Sequence, residues 1–168
     1  DPIYQALLPG GPEHKLLMGM PREPTIFEAV SQVCDCRDVL ITQGGASWLH
    51  AVVQIRKASP EDGRLAAEAA FYGHTSLKHV VVVDDDVDIH DPAAVEWAIA
   101  TRLQADRDVM IWSEQPSSSL DPSAHQTPGE KARTAKMGLD ATVPWDTDAG
   151  PRDPAVFRRV DYFREAGR

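Results

Sequence analysis

The run His79–Val83 (HVVVV) constrains the fold more than any other stretch of the chain, because it leads directly into Asp84-Asp85-Asp86 and then Asp91-Pro92. Consecutive β-branched residues favour an extended backbone and leave the strand no polar face to turn toward water. Such a strand has to be covered on both sides, which in practice means a sheet carrying helices on both faces. The Asp-Pro pair supplies the next element: a carboxylate at the N-cap and proline at the first helical position start a helix, with Val95, Ala98 and Ile99 as its buried stripe. Strand, acidic turn and helix in that order are the opening of a strand–helix–strand unit.

The flanking sequence fits the same alternation. Lys15–Met20 is a short apolar run. Pro24–Val33 places Ile26, Ala29, Val30 and Val33 on one helical face. Asp38–Thr42 reads as a strand closed by the turn signal Gly44-Gly45, and Trp48–Lys57 as a longer strand rich in Val, Ile and Trp. Ser59-Pro60-Glu61-Asp62 opens a helix of good formers from Arg64 to Phe71, and Asp108–Ser113 is a further strand. The fold class expected is α/β: a mixed, largely buried sheet flanked by helices. From Gln115 to Gly150 the texture changes to Ser, Pro, Asp, Thr and Gly without lasting periodicity. An α/β core is therefore assigned to residues 1–114 and an extended arm to 115–153. A final helix is assigned to 154–168, begun by Asp153-Pro154 and carrying Val156, Phe157, Val160 and Phe163. The sequence shows no internal repeat.

Bulk properties narrow the function classes. A chain of 168 residues that is 42% apolar can build a core. Its formal charge of −9 argues against nucleic acid or an anionic membrane as partner. No apolar run approaches the roughly 18 residues a membrane span needs, and no secretory leader is visible. Cys34 and Cys36 are too close for an ordinary stapling disulfide and too few for a thiolate zinc site. Together these features suggest a reduced, cytoplasmic protein. The first residue is Asp1, not methionine, which suggests a piece of a longer or processed product.

Taken residue by residue, the chemistry is muted. Asp84, Asp85, Asp86 and Asp88 follow a buried strand, a place where α/β folds hold Mg²⁺ for phosphoryl transfer. Without a phosphate-binding loop, a strand-to-helix turn explains them better, so no metal site is assigned. The histidines (His14, His50, His74, His79, His90 and His125) never take metal-ligand spacing, and His50 inside a strand reads as a packed residue. Ser47 and Ser117–Ser119 lack a nucleophile elbow. Gly10-Gly11 and Gly44-Gly45 form no phosphate fingerprint. Met18, Met20 and Leu120 are ordinary apolar residues on this evidence. The residues alone describe an α/β domain with no catalytic group assigned.

Four stretches sharpen the picture: LLPGGPEHKLLMGMPREPTI (7–26), GGASWLHAVVQIRK (44–57), SLKHVVVVDDDVDIHDPAAVEWAIATRLQADRD (76–108) and SSSLDPSA with TAKMGLDAT (117–142). In order, and over nearly the whole chain, they resemble the carboxy-terminal half of the UbiD family of prenylated-FMN-dependent decarboxylases. The resemblance implies decarboxylation, sometimes reversible, of aromatic or α,β-unsaturated carboxylic acids, with the hard chemistry done by a flavin whose extra ring engages the substrate. It further implies an Arg and two Glu beside the flavin, and a divalent metal and K⁺ at its phosphate. All of these lie in the family's amino-terminal portion, so no catalytic residue is expected here and the chain alone is expected to be inactive. Its partners would be that amino-terminal half or large subunit, a small carboxylic acid, and further copies in a homo-oligomer. Position by position, Met18 falls at an apolar pocket residue of the family, and Ser118 and Leu120 on the loop that closes over substrate. Several relatives carry a basic residue that reaches the flavin phosphate where this chain has Tyr72; either His74 and Lys78 are the cofactor contacts in its place, or phosphate binding rests on the other half of the site. Lys136 matches a lysine common in similar sequences and is given no role beyond a structural or interface contact. The alternatives are a non-catalytic oligomerisation scaffold of the same fold and a Mg²⁺-dependent phosphotransfer enzyme using the acidic cluster.

Overall fold

A computed structural model of the chain describes residues 12–146 and 149–160. The β-branched run becomes strand β3 (His79–Asp84) at the centre of a five-stranded sheet of order β1-β2-β3-β5-β4, where β1 is Asp35–Ile41, β2 His50–Arg56, β4 Val109–Pro116 and β5 Arg133–Asp140. Strands β2, β3 and β5 are parallel, while β1 and β4 run antiparallel on the two outer edges. The sheet is mixed, as the sequence suggests.

Residues of β3 alternate between two cores. Val80 and Val82 join Ile26 and Val30 of helix α2 (Glu23–Ser31), the alanines of helix α3 (Asp62–Gly73) and Leu77 on one face. Val81 and Val83 join Val87, Ile89, Val95 and Ala98 on the other, under helix α4 (Pro92–Arg102). All four valines are essentially inaccessible. At about 25 cal/mol per Å² of apolar surface, each is worth up to roughly 2 kcal/mol against exposure. Helix α4 begins as its sequence implies: the Asp91 carboxylate accepts from Ala93 N at 2.9 Å, with Pro92 next. Helix α1 (Pro12–Gly19) and a 3₁₀ turn (Met20–Arg22) precede α2. On α2, Ile26 and Val30 are buried but Val33 lies beyond the helix end, 44% exposed.

Three segments depart from the sequence expectation. Within the stretch read as an arm, Arg133–Asp140 is the strand between β3 and β4. Its sequence RTAKMGLD has a buried lysine and a glycine where a strand usually has apolar side chains, so no alternation announces it. Gly138 fits because α3 and β4 press on it; a Cβ there would stand 3.0 Å from both Ala67 Cβ and Met110 Cε. Residues 117–132 do lack helix and strand apart from one isolated bridge, His125 to Arg133. The expected final helix is, among described residues, one 3₁₀ turn, Pro154–Phe157. Asp153 caps it (Ala155 N to Asp153 Oδ1, 2.9 Å), but the segment then docks on α4: Trp97 Nε1 donates to the Phe157 carbonyl at 2.9 Å, and Phe157 lies under Arg102. That contact takes a carbonyl a continuing helix would use. Phe163 lies outside the described residues. Lastly, β2 begins at His50, not Trp48, because residues 45–49 form a turn. A small antiparallel pair, β6 (Trp145–Asp146) and β7 (Gly150–Pro151), completes the described elements.

The acidic cluster is bound into the fold. Asp84 accepts from Arg102 Nη1 at 2.9 Å and Val143 N at 2.5 Å, Asp86 takes Arg102 bidentately at 2.9 and 2.7 Å, Asp85 pairs with Arg56 at 2.8 Å, and Asp88 accepts from His90 N at 2.9 Å. Among described residues, no helix is long and apolar enough to cross a membrane.

Candidate functional site

Helices α2 and α3 and the sheet bring four loops to one edge, where β1 and β4 end and β2, β3 and β5 begin: the α1 end, the turn 42–49, residues 74–78 and the loop 117–124. The turn 42–49 is strained. Ala46 and Ser47 hold φ of 61° and 51°, the left-handed region that costs a non-glycine residue about 1–2 kcal/mol. Bonds from Gly45 N and Ser47 N to the Thr42 carbonyl, and from Leu49 N to the Gly45 carbonyl, over-determine it. Helix α1 ends against this turn: a Cβ on Gly19 would lie 2.3 Å from the Ser47 carbonyl oxygen, so only glycine lets the two backbones approach. Met18 is thereby set beside Ala46, Trp48, Leu49 and Leu120, which together line one small cleft of about 20 Å³.

Trp48 is the pivot. Its indole N–H donates to Ser118 Oγ at 3.1 Å, and His74 meets its ring edge-on with centroids 4.4 Å apart. Ser118 is buried and also accepts from Leu120 N at 3.1 Å, which shapes the loop that presents Leu120. Asp121, only 1% exposed, anchors the same loop. It takes Lys78 Nζ at 3.0–3.1 Å and the Ser123 amide and hydroxyl at 3.0 and 2.9 Å, and Lys78 donates to Ser123 Oγ as well. Burial pushes the Asp121 carboxyl up, but these donors more than offset it and hold it below the ordinary range.

The structure therefore brings Met18, Ser118 and Leu120 together and places His74 and Lys78 directly behind them. Met18 and Leu120 are 36% and 54% exposed. Lys78 is already engaged by Asp121 and Ser123. His74 is buried; desolvation first, then the charges of Arg22 and Lys136, lower it to about 4 against a bond to the Trp48 backbone, so the ring is neutral. Its Nε2 has no hydrogen-bond partner. Because the ring's other nitrogen serves Trp48, Nε2 is an acceptor. Sequence reasoning missed Trp48, read as a strand residue, and Asp121. An indole N–H beside strained Gly-Gly-Ala-Ser, and an aspartate in Ser-Leu-Asp-Pro, were the available signals. His50 is part of β2 and meets His79 at 6.0 Å, with burial and then His79 lowering it. Burial also raises Cys34 and Cys36 to about 11 and about 12, which keeps both as thiols at neutral pH.

Lys136 behaves differently from the other internal cations. Only 4% exposed, it donates to the Thr75 carbonyl at 2.7 Å and lies 5.0 Å over the Phe71 ring. Desolvation, then Lys131, lowers it to about 8.

With the geometry in place, comparison with known proteins is decisive at the level of family. The sequence profile of the 3-octaprenyl-4-hydroxybenzoate carboxy-lyase C-terminal domain matches residues 15–141. The chain belongs to this family, the UbiD decarboxylases. It is 54% identical over 143 residues to the anhydromevalonate phosphate decarboxylase of Methanocaldococcus jannaschii, a match covering 84% of this chain and 33% of that protein. It is similar in fold to the UbiD-class enzyme HmfF of Pelotomaculum thermopropionicum in complex with FMN, with a TM-score of 0.76 and 37% identity, covering 91% of this chain and 33% of that one. An evolved dimeric form of the same enzyme in complex with prFMN matches with a TM-score of 0.65 and 34% identity, covering 88% and 31%. The chain thus spans about a third of the length of the proteins it matches.

Proposed function

We propose that this chain forms one wall of the substrate pocket, and part of the assembly surface, of a prenylated-flavin-dependent decarboxylase acting on an aromatic or α,β-unsaturated carboxylic acid. The observation that supports this most directly is the meeting of Met18 and Leu120 in one cleft, held by the Ser118–Trp48 bond and the Lys78–Asp121 pair. A cleft of about 20 Å³ has room for about one water, against several hundred Å³ for a typical ligand pocket. It is a wall, and the remaining walls come from the rest of the enzyme. Leu17, Met20 and Leu120, all more than half exposed, extend it as an apolar ledge suited to cover by a partner surface, the amino-terminal portion or another copy.

In this reading the acid–base Arg and Glu residues, the divalent metal and K⁺ belong to the amino-terminal portion. Among described residues there is no group of three or more His, Cys, Asp or Glu that could hold a metal. The flavin, when bound, supplies the electron sink for loss of CO₂. Toward it this chain offers His74, whose neutral Nε2 fits an N–H or O–H donor and not a phosphate, and Lys78, which acts by pinning the loop that carries Leu120. The relative at 54% identity is named for anhydromevalonate phosphate, which places that acid first in the substrate panel.

The test is to assay CO₂ release from anhydromevalonate phosphate and a panel of aromatic and enoic acids with prenylated flavin. The chain alone, the amino-terminal portion alone and the two together are compared. Activity is expected only from the pair; turnover by either part alone at the pair's rate overturns the reading.

A further inference from the structure

Among the described residues, the other cations drawn into the interior each have a carboxylate. Lys57 reaches Asp140 at 3.5 Å, Lys78 has Asp121, and Arg102 holds Asp84 and Asp86. Lys136 pairs with none among the described residues. An ammonium carries three donors, and the Thr75 carbonyl takes one. The group faces a cavity of about 330 Å³. Phe71, Tyr72, Trp112 and Pro116 give it flat apolar walls, with Phe71 and Trp112 edge-to-face at 5.4 Å, while Thr75 and Gln115 add polar atoms. Glu68, the one carboxylate on the lining, is turned to Arg64 at 3.8 Å.

A buried cation without a counter-charge is costly, and such a group persists where a ligand completes it. The volume lies in the range of small-molecule sites, where apolar walls commonly surround a few convergent polar groups. The face of Phe71 already meets one side of the ammonium, so a ligand would approach from the open side with its ring against Trp112 and Tyr72.

We propose that Lys136, with the aromatic wall of Phe71, Tyr72 and Trp112, binds an anionic group, carboxylate or phosphate, carried on a flat apolar body. The lining of this site shares no residue with the cleft of Met18 and Leu120. Its ligand bonds to Lys136 Nζ in place of the missing carboxylate. A bonded anion also favours the charged ammonium that burial otherwise disfavours.

Calorimetric titration of the complete protein that carries this chain tests the assignment. The probes are benzoate, its neutral isostere benzamide, and inorganic phosphate. Benzoate is expected to bind while benzamide does not. Its affinity should fall about tenfold or more in Lys136→Met and stay within a few-fold in Lys136→Arg, the loss expected for one charge-assisted contact. Phosphate binding with the same dependence on Lys136, and benzoate silent, assigns the site to a phosphate instead. Should Lys136→Met fail to fold, Tyr72→Ala substitutes, since Tyr72 is 85% exposed and its loss leaves the core intact; a several-fold weakening of benzoate, with phosphate unchanged, is then expected. The proposal is overturned if neither anion binds, or if the variants that fold bind them as the wild type does.

Discussion

The two ends of the parallel strands manage their charges in opposite ways. At the carboxyl end of β3, Asp84 and Asp86 grip Arg102, while Lys57 bridges Asp140 and Thr142 at the ends of β2 and β5. Among the described residues, Arg102 Nε is the buried side-chain polar atom there that lacks a partner. At the amino end, Ala46, Ser47 and Glu114 sit in left-handed backbone, Met18 and Leu120 stand exposed, and among the described residues His74 Nε2 has no hydrogen-bond partner and Lys136 no carboxylate. Open α/β sheets usually bind ligands beyond the carboxyl ends of their strands. Here that end is laced by internal ion pairs beside a cleft of about 460 Å³ lined by Asp86, Trp97, Arg102 and Phe157, and the backbone strain lies at the other. Backbone strain and unpaired buried polar groups gather at functional sites more often than where every bond is complete.

The largest effect should come from breaking the ion-paired end. Arg102→Leu leaves Asp84 and Asp86 beside each other without their cation, and Asp84 is buried. Removing one partner of such a pair costs about 3–5 kcal/mol, and urea unfolding should show it as a clear drop in midpoint. A loss under about 1 kcal/mol would mean that the carboxylates relax to solvent and the ion-paired end is not the anchor described.

At the strained end the sign reverses. Lys136→Met should stabilise the protein at pH 7 by on the order of 1–3 kcal/mol, because it removes a charge that burial penalises. The native ammonium titrates near 8 and the unfolded one at about the ordinary 10.5. Between those values the unfolded chain binds more protons, so the wild type gains stability as pH rises. The penalty is therefore full below about pH 8, shrinks through the window and is gone above 10.5. Thermal unfolding of both proteins at pH 7 and near pH 10.5 reads this directly: the variant's advantage should close. An advantage that persists at high pH would trace to packing instead of charge.

How much of this contrast was legible beforehand follows from which forces each end uses. The ion-paired end was readable because it rests on local rules: a β-branched run, an acidic turn and an Asp-Pro helix start are neighbours in sequence, and the turn reading of Asp84–Asp88 needed no long-range contact. Strand β5 was not readable, since Lys136 and Gly138 suit a strand only once α3, Thr75 and Trp112 are in place around them. Among the described residues the final helix is only its capped first turn, where a tertiary bond from Trp97 meets the Phe157 carbonyl. At the strained end, resemblance marked Met18, Ser118 and Leu120, and the fold does gather them. The residues that do the gathering, Trp48 and Asp121, work through contacts with positions far along the chain, which no local pattern records.

The smallest effect on the fold should be the most informative about function. Leu120 is 54% exposed and is presented by a loop whose shape depends on Ser118 and Asp121, not on the leucine side chain. Leu120→Ala should therefore move stability by no more than about 0.5 kcal/mol, as for other exposed positions away from caps and ion pairs. On the function proposed above, the same truncation in the complete enzyme removes part of a pocket wall. Burying a side chain of this size against a ligand is worth on the order of 1–3 kcal/mol, and displacing a substrate by about an ångström can cost about a hundredfold in rate. Turnover of a good substrate should fall by about tenfold or more, or preference should shift toward bulkier acids, with flavin content unchanged. Ser118→Ala separates position from contact: it frees the Trp48 indole and the Leu120 amide without touching the wall itself, so its loss should appear in kcat with KM less affected. Equal activity of Leu120→Ala and the wild type across the acid panel would mean that the exposed ledge at the strained end faces another protein surface and not a substrate.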